Sequence, residues 1–195
     1  MRMPGRVVVA SAMALALGVA LSGCAGADHE ADPTVSPPSV TASASPTPVF
    51  SSDAEALKAA TEAFKKFLSV ADAIGRDGGA HPERIRALVT AEGYEYEVEE
   101  AKRFSDANAH GVGSTRVNNT KLQSVQQEGN KVVVRIYVCE DLREVDVVDA
   151  SGNSIVDPSR SDFVAYVVEM EGTSAQNLVL SSSKYWSEGG VCEVP

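Results

Sequence analysis

Chemistry has few places to sit in this 195-residue chain, and the densest is the run KVVVRIYVCED at residues 131–141. As a strand its side chains alternate, which places Arg135, Tyr137, Cys139 and Asp141 on one face. Tyr94 and Tyr96 offer phenols from earlier in the chain. A carboxylate buried among such groups, with its pKa raised, can act as a general base beside a tyrosine donor. In the plainer reading Tyr137 packs, Arg135 pairs with a surface acid, and Asp141 ends the strand in solvent beside Glu140 with its pKa little shifted. We take the plainer reading as the default and expect no catalytic residue. Should that face be interior, Arg135, Tyr137, Asp141 and Tyr94 are the residues expected to line a pocket.

Other constellations fall short. The chain has no G-x-S-x-G elbow, no H-E-x-x-H helix, no Walker loop and no zinc-spaced cysteine set. His29, His81 and His110 are scattered, too few and too far apart in sequence for a zinc site. Gly111-Val112-Gly113-Ser114 follows a helical stretch rather than a strand, so it reads as a connector and not as a phosphate loop. Asp146, Asp149 and Asn153 lack the alternating ligands and closing Glu of a calcium loop and read as a turn. No metal or cofactor is expected.

The start of the chain concerns location. Residues 1–6 carry Arg2 and Arg6 and no acid, and residues 7–21 are apolar or small throughout. That run is shorter than the roughly 20 residues needed to span a bilayer core, and its order is that of a secretory leader. It ends at Leu21-Ser22-Gly23-Cys24, which resembles the lipobox of bacterial lipoproteins. The resemblance implies cleavage before Cys24, diacylglycerol on the Cys24 thiol and often an acyl chain on the new amino group. Two chains anchor stably where one does not. A plain secretory signal cut at Gly23 or Ala25 is the alternative.

With Cys24 acylated, Cys139 and Cys192 remain as an even pair in an oxidising compartment, where a disulfide is expected. Two free thiols are the alternative. The net charge is −10, and the leader holds two of the arginines, so cleavage deepens the acidity. Such a chain is unsuited to nucleic acid or to lying flat on anionic lipid.

Three segments follow: a leader over residues 1–23, a lipidated Cys24 with a Pro/Ser/Thr-rich tether over 24–50, and one domain over 51–195. The tether holds Pro33, Pro37, Pro38, Pro46 and Pro48 and few large apolar residues, a composition that cannot offset its own ordering entropy. In the domain, Ser52-Asp53-Ala54-Glu55 is a capping box. Leu57, Ala60, Phe64, Phe67, Leu68, Ala71 and Ile74 form the apolar face of a long helix that Gly75, Gly78 and Gly79 end. Pro82 opens a short helix with Ile85, Leu88 and Val89 inward. Thr90 caps another, with Tyr94, Val98, Ala101 and Phe104 as its stripe, although the alternation at 94–98 also reads as a strand. Beyond residue 112 the pattern is β, with strands expected over 116–127, 131–141, 143–148, 162–169 and 177–186.

Helices first and strands after is an α+β order. A long N-terminal helix, two shorter helices and four to six antiparallel strands resemble the nuclear-transport-factor-2-like, or cystatin-like, cone, in which a curved sheet wraps the long helix. A glycine turn between the helices and a strand ending Tyr137-Val138-Cys139-Glu140-Asp141 carry the likeness over residues 51–195. Lipobox, tether, such a domain and a late Cys together resemble exported lipoproteins of high-GC Gram-positive bacteria. The fold hosts enzymes and non-enzymes alike. The resemblance therefore implies a protein anchored on the outer face of the cell membrane. It would bind an envelope protein, a wall polymer or a small molecule, or act as an accessory module, with its oligomeric state open and a dimer included. The alternative is a small-pocket enzyme of the ketosteroid isomerase or dehydratase kind.

Overall fold

A computed structural model of the protein describes residues 47–188 and 190–193. The leader, Cys24 and the tether up to residue 46 lie outside the described residues. The domain is α+β: two α-helices and a 3-10 helix, then six strands in two antiparallel sheets, the larger of them curved.

Helix α1 (Asp53–Arg76) starts where Ser52 turns the chain. The Ser52 hydroxyl accepts from Glu55 N at 3.2 Å, while the Glu55 carboxylate accepts from Ser51 N and Ser51 Oγ at 2.8 and 2.6 Å. The reciprocal cap thus forms with its return arm one residue earlier than the motif implies. Ala56, Ala60, Phe64, Phe67, Leu68 and Ile74 are buried along one face. Past its end the chain crosses close beneath a second helix. Gly79 has φ +82°, and a Cβ there would stand 1.9 Å from Ala101 O, so only glycine fits.

The 3-10 helix (Pro82–Leu88) buries Ile85 completely. Helix α2 (Ala91–Asp106) is capped by Thr90, whose hydroxyl accepts from Gly93 N at 3.1 Å. The ambiguous 94–98 stretch is therefore helical. Of the expected stripe only Ala101 is fully buried, because the helix lies at the margin of the domain; Tyr94, Val98 and Phe104 are half-buried.

Strands β1 (His110–Val112) and β4 (Asp146–Val148) form a small separate pair. The expected strand over 143–148 shrinks to its second half, because Arg143 and Glu144 lie in a turn where Val145 N donates to Leu142 O at 3.0 Å. The main sheet runs β2 (Arg116–Glu128), β3 (Lys131–Asp141), β5 (Phe163–Gly172) and β6 (Val179–Tyr185), in that order and all antiparallel. Register shifts interrupt β2 after Val117 and Leu122, and the β5–β6 pairing at Glu169/Met170. Such bulges bend a strand and increase its twist, which curves the sheet.

Curvature gives the sheet an inner face toward α1. Val132, Val134, Ile136 and Val138 stand on it with no exposure, joined by Val168 and Met170 of β5 and by Phe64 and Phe67 of α1. Phe50, placed by its composition at the end of the tether, is 9% exposed and belongs to this core. Val49 N donates to Gln127 Oε1 at 2.9 Å beside it. The large apolar ring draws the last tether residues into the folded unit.

On the outer face lie cross-strand ion pairs, Lys131–Glu171 and Arg135–Glu169, and the C-terminal tail. A disulfide joins Cys139 to Cys192 with their Cα atoms 5.0 Å apart. Asn119 Nδ2 donates to Val191 O, and Lys121 Nζ to Gly190 O. Trp186, Tyr137, Phe163 and Val191 gather around the bridge as a second small core.

Candidate functional site

The four residues expected to share a pocket do not meet. Arg135 Nε donates to Glu169 Oε2 at 2.5 Å and its Nη1 to Gln126 Oε1 at 3.0 Å. The Tyr137 hydroxyl accepts from Gln123 Nε2 at 2.9 Å, and its ring lies 5.1 Å from that of Trp186. Asp141 takes Arg143 Nε and Nη2 at 2.9 and 2.7 Å, plus Arg143 N. These three belong to the outer face. Tyr94 is elsewhere, half-buried on α2 with the Arg86 guanidinium 3.7 Å above its ring. Asp141 departs from expectation twice: it is only 7% exposed, and its hydrogen bonds from Arg143 pull its pKa down to about 2. Arg143, two residues on, folds back over the strand end and does both.

The inner face holds the candidate. Its row in β3 runs Val132, Val134, Ile136, Val138 and then Glu140, by the same alternation that sends Asp141 outward. Glu140 is 8% exposed. Burial first, and then the charge of Asp72 on α1, push its pKa up to about 7. No described residue gives it a hydrogen bond.

Glu140 opens onto a half-open cleft of about 370 Å³. Phe64 and Phe67 of α1, their rings stacked at 5.8 Å, and Leu180 of β6 form its apolar part. The first turns of α2 bring Glu92, Gly93, Tyr96 and Glu97. Tyr166 of β5, paired across from Val138, and Ser181, Ser182 and Ser183 of β6 complete it. Thr90 N donates to Leu180 O at 2.9 Å, which fixes the start of α2 against β6 and so sets the width of the cleft.

A second carboxylate there behaves like the first. Burial, then the neighbouring charge of Glu100, push Glu97 up to about 7, again with no hydrogen bond from a described residue. The Tyr166 phenol is raised by burial and then by the charge of Glu140, with which it shares the lining of the cleft. Tyr96, which lines the cleft, is 61% exposed, so its ring marks the mouth.

The two largest of the other hollows lack this character. A groove of about 620 Å³ runs between α1 and residues 175–179, edged by Glu55, Lys58, Glu62 and Lys66, with Lys58 and Glu62 at 4.0 Å in solvent. Another, of about 570 Å³, lies over the outer loops at Arg143, Asp157 and Arg160. Neither holds a buried, unpartnered ionisable group. Among the described residues no three of His, Cys, Asp and Glu stand close enough to hold a metal ion.

Two helices and a 3-10 helix on a curved antiparallel sheet define the class of fold, α+β, and the comparisons add little to it. No protein-family model and no curated protein matches the chain. Among solved structures, the intermembrane space region of the chloroplast protein ARC6 is 11% identical. That match covers 66% of this chain and 95% of the other at a TM-score of 0.49. A de novo designed β-sheet protein is 14% identical over 70% of this chain and 95% of its own, at a TM-score of 0.28. At these values neither likeness bears on what this chain does.

Proposed function

We propose that the chain is an exported, lipid-anchored envelope protein whose domain binds a small molecule in the Glu140 cleft. The anchor reading draws on the basic start, the apolar run and Leu21-Ser22-Gly23-Cys24. A disulfide suits the same oxidising setting. With the tether, the assignment is to the exported lipoproteins with a nuclear-transport-factor-2-like domain. One observation carries the binding reading: a carboxylate 8% exposed, without a hydrogen bond from a described residue, faces a cleft of ligand-accepting size. A buried ionisable group without a partner in a cleft is unfavourable for folding and is a candidate for a functional site.

Two measurements test the reading. Cys24→Ala should move the protein from the membrane fraction to the soluble or precursor fraction. A small-fragment screen followed by amide NMR should concentrate its shifts on Gly93, Glu97, Ser182 and Ser183. Fragments that scatter over the surface, or none that touches those amides, would remove the cleft from the account.

A specific observation also favours the second reading, a small-pocket enzyme. Glu140, pushed up to about 7, and the Tyr166 phenol line the same cleft, and they are the kinds of base and donor that proton transfer uses. The two readings part at Glu140→Gln. An enzyme would keep substrate binding and lose turnover, whereas a binding module would lose affinity alone.

A further inference from the structure

The binding reading above leaves the class of ligand open, and the lining of the cleft narrows it. All the ionisable lining groups are acids or phenols: Glu92, Glu97, Glu140, Tyr96 and Tyr166, with no Lys, Arg or His among them. Phe64, Phe67 and Leu180 give the cleft an apolar wall, and three consecutive serines give it neutral hydrogen-bonding groups. Glu140, at 8% exposure and unpartnered, aims into this space.

Each class of ligand can be weighed against that lining. An anion would meet three carboxylates and no counter-charge, so it is repelled. A neutral apolar molecule would seal Glu140 away from water with no hydrogen-bond partner, which is unfavourable for a carboxylate and still costly for the protonated acid. A bare metal ion needs several oxygen ligands at once, and no such group exists among the described residues. An ammonium group on an apolar body satisfies every part. Its N–H groups and charge complete Glu140, and its body lies on the phenylalanine wall. The exposed Tyr96 ring at the mouth offers a cation–π face. A volume of about 370 Å³ stands at the small end of ligand pockets, so the molecule is small.

We propose that the cleft between α2, β3, β5 and β6 is a binding site for a small organic ammonium compound, with Glu140 as its buried counter-ion and Glu97 as the second carboxylate at the rim. The inference rests on the binding reading, and its test separates the two.

Calorimetric titration of the full chain at pH 8, where both carboxylates are ionised, would use four probes of similar shape. Phenethylamine and its N,N,N-trimethyl derivative carry the charge, phenethyl alcohol is neutral, and 3-phenylpropionate is anionic. The ammonium probes should bind at least tenfold more tightly than the neutral and anionic ones. Glu140→Gln should weaken them at least tenfold, Glu97→Gln by a smaller factor, and Asp141→Asn on the opposite face not at all. Melting curves identify any variant that fails to fold, and the two cleft variants serve as independent checks on each other. Tighter binding of alcohol or propionate, lost when Glu140 is replaced, overturns the ammonium class and leaves the cleft as a binding site. Ammonium binding that neither Glu140→Gln nor Glu97→Gln changes places the contact elsewhere and overturns the inference. Absence of binding by both ammonium probes overturns it as well, while fragment mapping decides the cleft separately.

Discussion

Glu140 and Asp141 are neighbours in sequence, sit on one strand, are both under 9% exposed, and carry the same functional group. One is pushed up to about 7 and the other pulled down to about 2. The sheet separates them. Glu140 faces inward at the end of a row of valines and isoleucine, with Asp72 adding like charge. Asp141 faces outward, where Arg143 wraps it with three donated hydrogen bonds. The same contrast runs the length of β3. Its inner residues belong to the apolar core until Glu140, whereas Arg135, Tyr137, Cys139 and Asp141 each have a polar, aromatic or covalent partner. A strand thus holds a structural face and a candidate functional face one residue apart, and burial alone does not say which is which. The presence of a partner does.

The outer face should break hardest at its covalent pin. The bridge closes a segment with a sequence separation of 53, and in the chain-entropy account a loop of that length is worth about 4 kcal/mol. Replacing Cys139 and Cys192 together by Ala should remove stability of that order and lower the melting temperature by roughly 10 °C in a domain of this size. The tail over Asn119 and Lys121 should loosen with it. Scanning calorimetry checks the first point, and hydrogen exchange at residues 190–193 the second. An unchanged melting temperature would mean that tail contacts, not the bridge, hold that face.

The inner face should respond to pH instead. Glu140 has a folded pKa of about 7 against a usual value of 4.5. Between those values the folded chain holds a proton that the unfolded chain has lost. Stability therefore falls as pH rises from about 4.5 to 7 and levels off above. For this group alone the loss is about 3 kcal/mol. Glu140→Gln should remove this share of the slope and leave that of Glu97, matching the parent near pH 4 and exceeding it by up to about 3 kcal/mol at pH 8. Urea titrations at the two pH values measure the difference. Equal stability of variant and parent at pH 8 would show that Glu140 has a partner the inner face conceals.

These contrasts explain what could be read from sequence. The frame of α1 was legible because Ser52, Glu55 and the Phe64–Phe67–Leu68 stripe agree with one another, and the core strand because KVVVRIYVCED permits little else. Parity of the thiols foretold the Cys139–Cys192 bridge. Of the short β1–β4 pair only β4 was legible, inside the strand expected over 143–148; β1 fell in a stretch read as a connector, since three residues have no period to detect. Glu140 was hidden for a subtler reason. The row Val132, Val134, Ile136 and Val138 reads as the inner one, since the other row carries Lys131, Arg135 and Asp141, but a Glu at the end of such a row reads as the point where the strand meets solvent. That Glu140 is buried there depends on what α1 and α2 cover. The cleft itself draws on side chains from Phe64 to Ser183, a convergence that only the assembled fold creates.

Asp141→Asn should give the smallest change, with the opposite sign to Glu140→Gln. Its folded pKa lies below the usual 3.8, chiefly through the side-chain hydrogen bonds from Arg143 and then the backbone one. The stability it lends is therefore present above about 3.8 and is lost as pH falls toward 2. An amide retains one acceptor for Arg143 N but surrenders the charge that holds the guanidinium. Arg143 is 56% exposed, so solvent and salt already weaken the pair. Its guanidinium also rests 4.9 Å from the Phe163 ring, a contact the substitution leaves in place. The variant should accordingly be slightly less stable than the parent at pH 7. The gap should narrow in high salt and close near pH 2, where the parent carboxyl is itself half neutral. Matched urea titrations at low and high ionic strength measure it. A salt-independent loss as large as that from opening the disulfide would show that Asp141 organises the outer face as a whole, and the division of β3 into two unlike faces would then have to be redrawn.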